Sequence, residues 1–301
     1  MKSMIQPGYS FFLAEASLCW NLLKSNIDGG FLPFPIFTMV SLLHNGAPWD
    51  EIIVRQVYSL IYGFFYLYVF ELTNQTARPA HRLEDEINKP YRPLVTNSMT
   101  LQSAKTRYYV ALALWLAYSY VLGTQLWTLL WLANILSSWG YSIGLADFGP
   151  TKDLSIAIAL IAQLGAAWHI GGSDPVIGWH WIKILTMWMY PTIGIQDIRD
   201  VPGDLAVGRR TTVILLGDIP ARIYHSLGLV VFGYIYIFQW VLATRKDGYT
   251  LMTSAVIVAL TFGILFRLFA WRSIESDRKT YRYYMRLFLL KLVAAGVCLR
   301  K

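Results

Sequence analysis

Apolar positions in this chain come in long continuous blocks. Stretches of about 20 apolar residues recur along most of its length, each ended by a polar loop. Blocks of that length predict membrane-crossing helices, because a helix satisfies every backbone group within its own segment. The strands of a membrane barrel would alternate in polarity, and these runs do not. Nine spans are expected, at roughly 29–43, 52–72, 108–122, 126–143, 154–170, 179–195, 223–242, 250–270 and 283–298. The first carries Pro33 and Pro35 and is expected to kink. Residues 11–24 before it read as an amphipathic helix, so 1–28 is expected to lie along the membrane interface. The spans follow closely on one another. Residues 1–301 therefore read as a single transmembrane domain, an all-α integral membrane bundle of nine helices.

The loops between spans are unequal. Those after the second, sixth and eighth are long or basic, and the last of them carries Arg272, Arg278, Lys279 and Arg282. The loops after the third, fifth and seventh are short and hold only Arg245 and Lys246 as positive charges. By the positive-inside rule the even-numbered connections and the N-terminus are cytoplasmic. The two polar loops rich in acids then meet at one cytoplasmic mouth, as caps over a central cavity.

Composition removes several alternatives. Of 301 residues, 55% are hydrophobic and only 15% charged, too few to coat a soluble domain of this size. The formal charge of +8 would suit nucleic acid, but with these spans it sets orientation in a lipid bilayer instead. The sequence points to no nucleic acid and makes no obligate protein partner evident. Cys19 and Cys298 lie near opposite ends, without metal-type spacing, and receive no role. No cleavable signal peptide is evident. Aromatics make up 15%, enough for interfacial belts and for the lining of a cavity.

Chemistry concentrates in the two acidic loops. Asp197, Asp200 and Asp204 are spaced three and four apart and would share one helix face. Three carboxylates on one face repel unless a cation lies among them. A hard divalent ion such as Mg2+ takes oxygen ligands and bridges carboxylates to phosphates. Arg209 and Arg210 follow at once, and arginine grips phosphate with two prongs. The plainer reading is a solvated helix end, which Pro202 and Gly203 would suit. The first loop offers Asn74, Glu84 and Asp85 as oxygen ligands, with Lys89 and Arg92 to meet phosphate. Pro90 and Pro93 fix the turn between them.

The string EDEINKPYRPL, followed about a hundred residues later by DIRDVPGDLAVGRRT, resembles the UbiA-type intramembrane prenyltransferase superfamily. The second motif has the DxxDxxxD form in full. The first departs from the usual NDxxDxxxD. Asn74 is followed by Gln75, His81 stands where the middle aspartate belongs, and Asp85 aligns with the last. That form is most similar to the fungal UbiA-type membrane terpene cyclases. The resemblance implies a Mg2+ cofactor held by Asn74, Glu84, Asp85, Asp197, Asp200 and Asp204, with Asp85 and the three later aspartates catalytic. It implies diphosphate binding by Lys89, Arg92 and Arg209, with Lys152 and Arg107 as further candidates. For Lys152 a solvated loop lysine is the competing reading, and for Arg107 snorkelling to headgroups. Tyr141 matches a family tyrosine.

The implied reaction is ionisation of a prenyl diphosphate, farnesyl diphosphate by resemblance, to a carbocation that cyclises to a sesquiterpene in secondary metabolism. Prenyl transfer to an aromatic or other small acceptor uses the same ionisation and is the alternative. A transporter would place its acids near the bilayer midplane, not at one mouth. The fungal resemblance implies the endoplasmic reticulum.

Overall fold

A computed structural model describes residues 7–138 and 144–300. Tyr141 and the end of the fourth expected span lie outside the described residues. Among the described residues the chain is helical throughout, with no strand beyond one isolated bridge between Phe148 and Arg210.

Within the described residues a helix runs through each expected span. Helix α1 (Pro7–Leu23) leads through a π-helical turn at Ile27–Phe31 into α2 (Pro33–Asn45). Next come α3 (Trp49–Thr76), the short α4 (Pro79–Asn88), α5 (Leu101–Val121) and α6 (Gln125–Ser138). Then follow α7 (Gly149–Gly171), α8 (Pro175–Thr192), the short α9 (Ile195–Ala206) and α10 (Thr212–Leu216). The last group is α11 (Asp218–Tyr234), continued through a π-helical stretch at Ile235–Val241 into α12 (Leu242–Thr244), then α13 (Gly248–Ala270) and α14 (Ile274–Leu299). Among the described residues five runs are long and apolar enough to cross a membrane: Ile27–Asn45, Trp49–Thr76, Gly149–Gly171, Asp218–Thr244 and Gly248–Ala270.

Polar residues set where the helices begin. Thr100, Asp174, Asp247 and Ser273 each cap a helix N-terminus by accepting from a backbone N–H. At Asp247 the cap is reciprocal, with Thr250 bonding back. The prolines of the first span stand in the first turn of α2, where no N–H bond is lost.

The helices touch their neighbours in chain order. Contacts run from α2 to α3, α5, α6, α7, α8, α11, α13 and α14, and α14 returns to α2. Helix α7 also crosses to α2, where Thr38 donates to the Ala167 carbonyl at 2.8 Å. The hydrophobic window of α7 is 72% buried and that of α13 only 22%, so α7 is central and α13 peripheral. Exposed side chains of α13, such as Phe262 and Phe266, form the apolar surface expected against lipid. Helix α1 packs on α3 and leaves Phe12, Leu13 and Trp20 exposed.

Aromatic rings fill the interior. Trp115, Trp131, Trp181 and Trp188 are all fully buried. Trp131 meets Trp115 edge-on at 5.1 Å and Tyr66 at 5.0 Å. Such pairs each add about 0.5–1.5 kcal/mol beyond burial.

Candidate active site

The two short helices α4 and α9 pack together and carry the two acidic motifs to one place. The Asn88 side-chain amide donates to the Asp200 carbonyl at 3.0 Å, and its oxygen accepts from the Gly203 N–H at 3.3 Å. A Cβ at position 203 would collide with the Asn88 side chain, so glycine permits this approach. Helix α9 continues through Pro202 to Ala206, which removes the reading of Pro202 and Gly203 as a helix end. Asp197, Asp200 and Asp204 therefore share one face, with Asp197 and Asp204 buried.

Each acid meets a resident base. Lys152 Nζ donates to Asp197 Oδ1 at 2.6 Å. Asp200 lies 3.5 Å from Arg199 Nε. Arg209 Nη1 donates to Asp204 Oδ1 at 3.0 Å and also to Glu84, which ties the two motifs to each other. Arg92 Nη1 reaches both oxygens of Asp85, at 3.1 and 2.8 Å, while its Nη2 donates to Glu71 at 2.6 Å. Lys89 stands 4.0 Å from both Glu84 and Asp85 and is the loosest of the set.

Local backbone pairing explains where Arg209 and Lys152 stand. The Arg210 N–H donates to the Asp147 carbonyl at 2.7 Å, and the Gly149 N–H to the Arg210 carbonyl at 2.9 Å. The start of α7 is thereby laid along residues 209–211. Lys152 is in the first turn of α7 and buried, not in a solvated loop.

Electrostatics holds the charge at Glu84 and Arg209, whereas burial raises the carboxyls of Asp197 and Asp204. Burial alone would raise Glu84, but Lys89 and Arg209 outweigh it and hold the carboxyl down at about 2. Burial opposes charge on Arg209, yet Glu84 and Asp204 more than offset it and raise the guanidinium. His81 is pushed down to about 4 by burial and by the Arg209 charge, and so is neutral near pH 7.

Beneath this cap lies a cavity. Its polar end is formed by Asn74, Glu84, Lys89, Lys152 and Arg209, together with Asp200. Its apolar end is formed by Tyr66, Phe70, Trp131, Leu160, Met189 and Phe288. Asp85, Asp197 and Asp204 stand behind the lining bases as their partners. Two residues expected at the diphosphate stand away from the cavity lining. Arg92 is fully buried, with both terminal nitrogens held by Asp85 and Glu71, so it is not at the cavity surface. Arg107 pairs with Glu15 at 2.8 Å on the side of α5 toward α1 and does not line the cavity.

Other lining residues were missed by the sequence. Gln196 and Arg199 reach the cavity, and the Arg199 guanidinium lies 4.0 Å over the Tyr281 ring. Glu71 does not line the cavity; it is wholly buried at the end of α3 and accepts from Asn26 and Arg92. An intramembrane glutamate is itself a signal of function or of a buried partner.

Among the described residues no three His, Cys, Asp or Glu side chains form a ready metal cluster. The donor chemistry nevertheless fits a hard cation with a phosphate. Asp197 Oδ2 and Asp204 Oδ2 are buried without a hydrogen-bond partner, and so are Arg209 Nε and Nη2. Buried carboxylate oxygens without donors suit Mg2+, and buried guanidinium N–H groups without acceptors suit phosphate oxygens.

Comparison with known proteins gives the same direction. Residues 52–292 match the UbiA prenyltransferase family. The chain is 29% identical to a somaliensene A/B synthase of Streptomyces somaliensis over 95% of its own length and 94% of that protein. It is 29% identical to the diterpene cyclase eriG of Hericium erinaceus over 75% and 71%. To the polyprenyl transferase eriF of the same organism it is 28% identical over 97% and 98%. In fold it resembles a UbiA homologue from Archaeoglobus fulgidus, solved bound to GPP and Mg2+. There the TM-score is 0.65 at 16% identity, over 93% of this chain and 99% of that one.

Proposed function

The chain belongs to the UbiA prenyltransferase family, and we propose that it is a Mg2+-dependent membrane terpene cyclase that ionises farnesyl diphosphate and closes it to a sesquiterpene. The observation that carries this reading is the two-ended cavity, with Lys89, Lys152, Arg199 and Arg209 at one end and Tyr66, Trp131 and Phe288 at the other. A prenyl diphosphate has the same two ends.

The lining bases bind the diphosphate and neutralise the charge that gathers as the C1–O bond breaks and its electron pair leaves with the diphosphate. Asn74, Glu84 and Asp200 line the cavity and would hold Mg2+ there, with the unpartnered Oδ2 atoms of Asp197 and Asp204, and with Asp85, behind them. Bound there, Mg2+ would act as a Lewis acid on the leaving diphosphate. Asp85 and Glu71 fix Arg92, and through it the turn that presents Lys89. The allylic cation left in the cavity faces aromatic rings, whose attraction reaches about 2 kcal/mol when desolvated. Walls of this kind also exclude water, which would otherwise quench the cation. Ring closure uses the electrons of a distal double bond, and loss of a proton ends the sequence.

Two relatives named for terpene synthesis, and the altered first motif, support cyclisation over transfer. The polyprenyl transferase relative supports the second reading, transfer to a small acceptor. The diterpene cyclase makes a C20 diphosphate the second donor to test. The proposal extends to the whole architecture: one domain of nine crossings in the endoplasmic reticulum membrane, with mouth and N-terminus cytoplasmic.

Protein in nanodiscs, given farnesyl diphosphate and Mg2+ without acceptor, should release a cyclic C15 hydrocarbon detectable by mass spectrometry. A C20 hydrocarbon from the longer donor alone would correct the chain length. Product only after an aromatic acid is added would overturn cyclisation.

A further inference from the structure

A second hollow adjoins the reaction cavity, and seven residues line both, among them Lys89, Arg199, Asp200 and Tyr281. It is the larger of the two, about 550 Å3 against about 160 Å3, so it has room for a free anion. Its other walls come from the segment before α2, the turn after α4 and the first turns of α14.

Charge is matched in the reaction cavity and unmatched here. The hollow is lined by five cations, Lys24, Lys89, Arg199, Arg278 and Arg282, against the carboxylates of Asp28 and Asp200. Asp200 is already engaged by Arg199. Among the described residues Lys24, Arg278 and Arg282 enter no ion pair at all. Lys24 Nζ donates to Asn21 at 2.7 Å and lies 3.9 Å over the Tyr91 ring, which leaves ammonium hydrogens without acceptors. Arg278 Nη2 reaches only the Asn88 carbonyl, at 3.3 Å. A concave wall of unpaired guanidinium and ammonium groups is complementary to a polyvalent oxyanion.

We propose that this vestibule is a second phosphate-binding site, separate from the one that holds the reacting diphosphate. The inference rests on the diphosphate reading of the adjoining cavity. Two sources carry the required chemistry. One is the pyrophosphate released next door, across the shared wall that includes Lys89 and Arg199. The other is the headgroup phosphate of an anionic lipid.

The test uses the full chain in nanodiscs of zwitterionic lipid, with the reaction cavity saturated by the unreactive farnesyl thiolodiphosphate. Inorganic pyrophosphate is then titrated by calorimetry. Wild-type protein should still bind it, and Arg278→Gln with Arg282→Gln should weaken that binding roughly tenfold or more. The same double variant should leave KM for the prenyl diphosphate within about twofold, since neither residue lines the reaction cavity. Pyrophosphate that binds only when the cavity is empty, or binds both proteins equally, overturns the proposal. A repeat with phosphatidic acid separates the sources. Competition by that lipid in wild type, and not in the variant, assigns the site to headgroup phosphate. Absence of competition assigns it to pyrophosphate. Failure of turnover would count against the cyclase reading alone, because binding is read without it.

Discussion

Lys152 and Asp197 meet at 2.6 Å across 45 residues of sequence, and both side chains are buried. The pair joins the first turn of α7 to the first turn of α9 and places a cation beside the first acid of the second motif. Loss of one partner leaves an uncompensated buried charge, which costs about 3–5 kcal/mol. Lys152→Met and Asp197→Asn should each lower thermal stability by that order. The double variant should be more stable than the two losses added, which a double-mutant cycle reads directly. For turnover the pattern differs. Asp197→Ala and Asp85→Ala should abolish product, and near-normal activity in either would break the reading of these acids as the ionisation site.

Arg92 and Arg209 look alike in the sequence, yet the structure separates them. Arg92 is enclosed by Asp85 and Glu71, whereas Arg209 lines the cavity, with Nη2 lacking a hydrogen-bond partner and Nε only 3.7 Å from Asp147. Lysine cannot reproduce the two-pronged hold of either. Arg209→Lys should raise KM for the prenyl diphosphate by about tenfold with modest loss of stability. Arg92→Lys should do the reverse, lowering the melting temperature while KM changes little. Equal rises in KM would show that Arg92 touches substrate after all.

His81 predicts a pH dependence of stability. It lies buried near Glu84, Arg78 and Arg209, with burial first and Arg209 next in holding its pKa at about 4. The unfolded chain would protonate near 6.5. Above pH 6.5 both states are neutral and the stability is fully present. As pH falls from 6.5 toward 4 the unfolded state gains a proton that the folded state refuses, and stability falls by about 1.4 kcal/mol per pH unit. Melting curves of wild type and His81→Gln, compared across pH 4 to 7, should diverge on that slope, wild type falling faster toward acid. Parallel curves would place the titration elsewhere.

Much of the helical plan was legible because apolar blocks of helical length leave few alternatives. The shared face of Asp197, Asp200 and Asp204 followed from spacing, and the meeting of the two motifs from the parity of the loops between them. Pairing was not legible. Nothing local distinguishes Arg92, which closes on Glu71 of α3, from Arg209, which crosses to Glu84 125 residues away. Arg199 was hidden for the same reason, since its position depends on Tyr281 of α14. Lys152 read equally well as a loop lysine. Only the backbone pairing of Asp147 and Gly149 with Arg210 shows why it is buried.

Lys291 carries the last prediction. It lies on α14, fully buried, with Nζ lacking any hydrogen-bond partner. Among the described residues ring faces attend it, Tyr236 at 3.9 Å and Trp188 at 5.0 Å. Trp188 in turn stacks on Phe288, which lines the reaction cavity. Cation–π contact recovers about 2 kcal/mol at best, less than the several kcal/mol it takes to bury an ion. Lys291→Met keeps the length of the side chain and removes the amine, so it should raise stability by about 1–4 kcal/mol in thermal melts. Turnover should be retained, since no atom of Lys291 lines the cavity. A less stable variant would mean that the aromatic cage stabilises the amine more strongly than its geometry accounts for. Lost turnover with stability intact would mean that the amine acts on the reaction through Trp188.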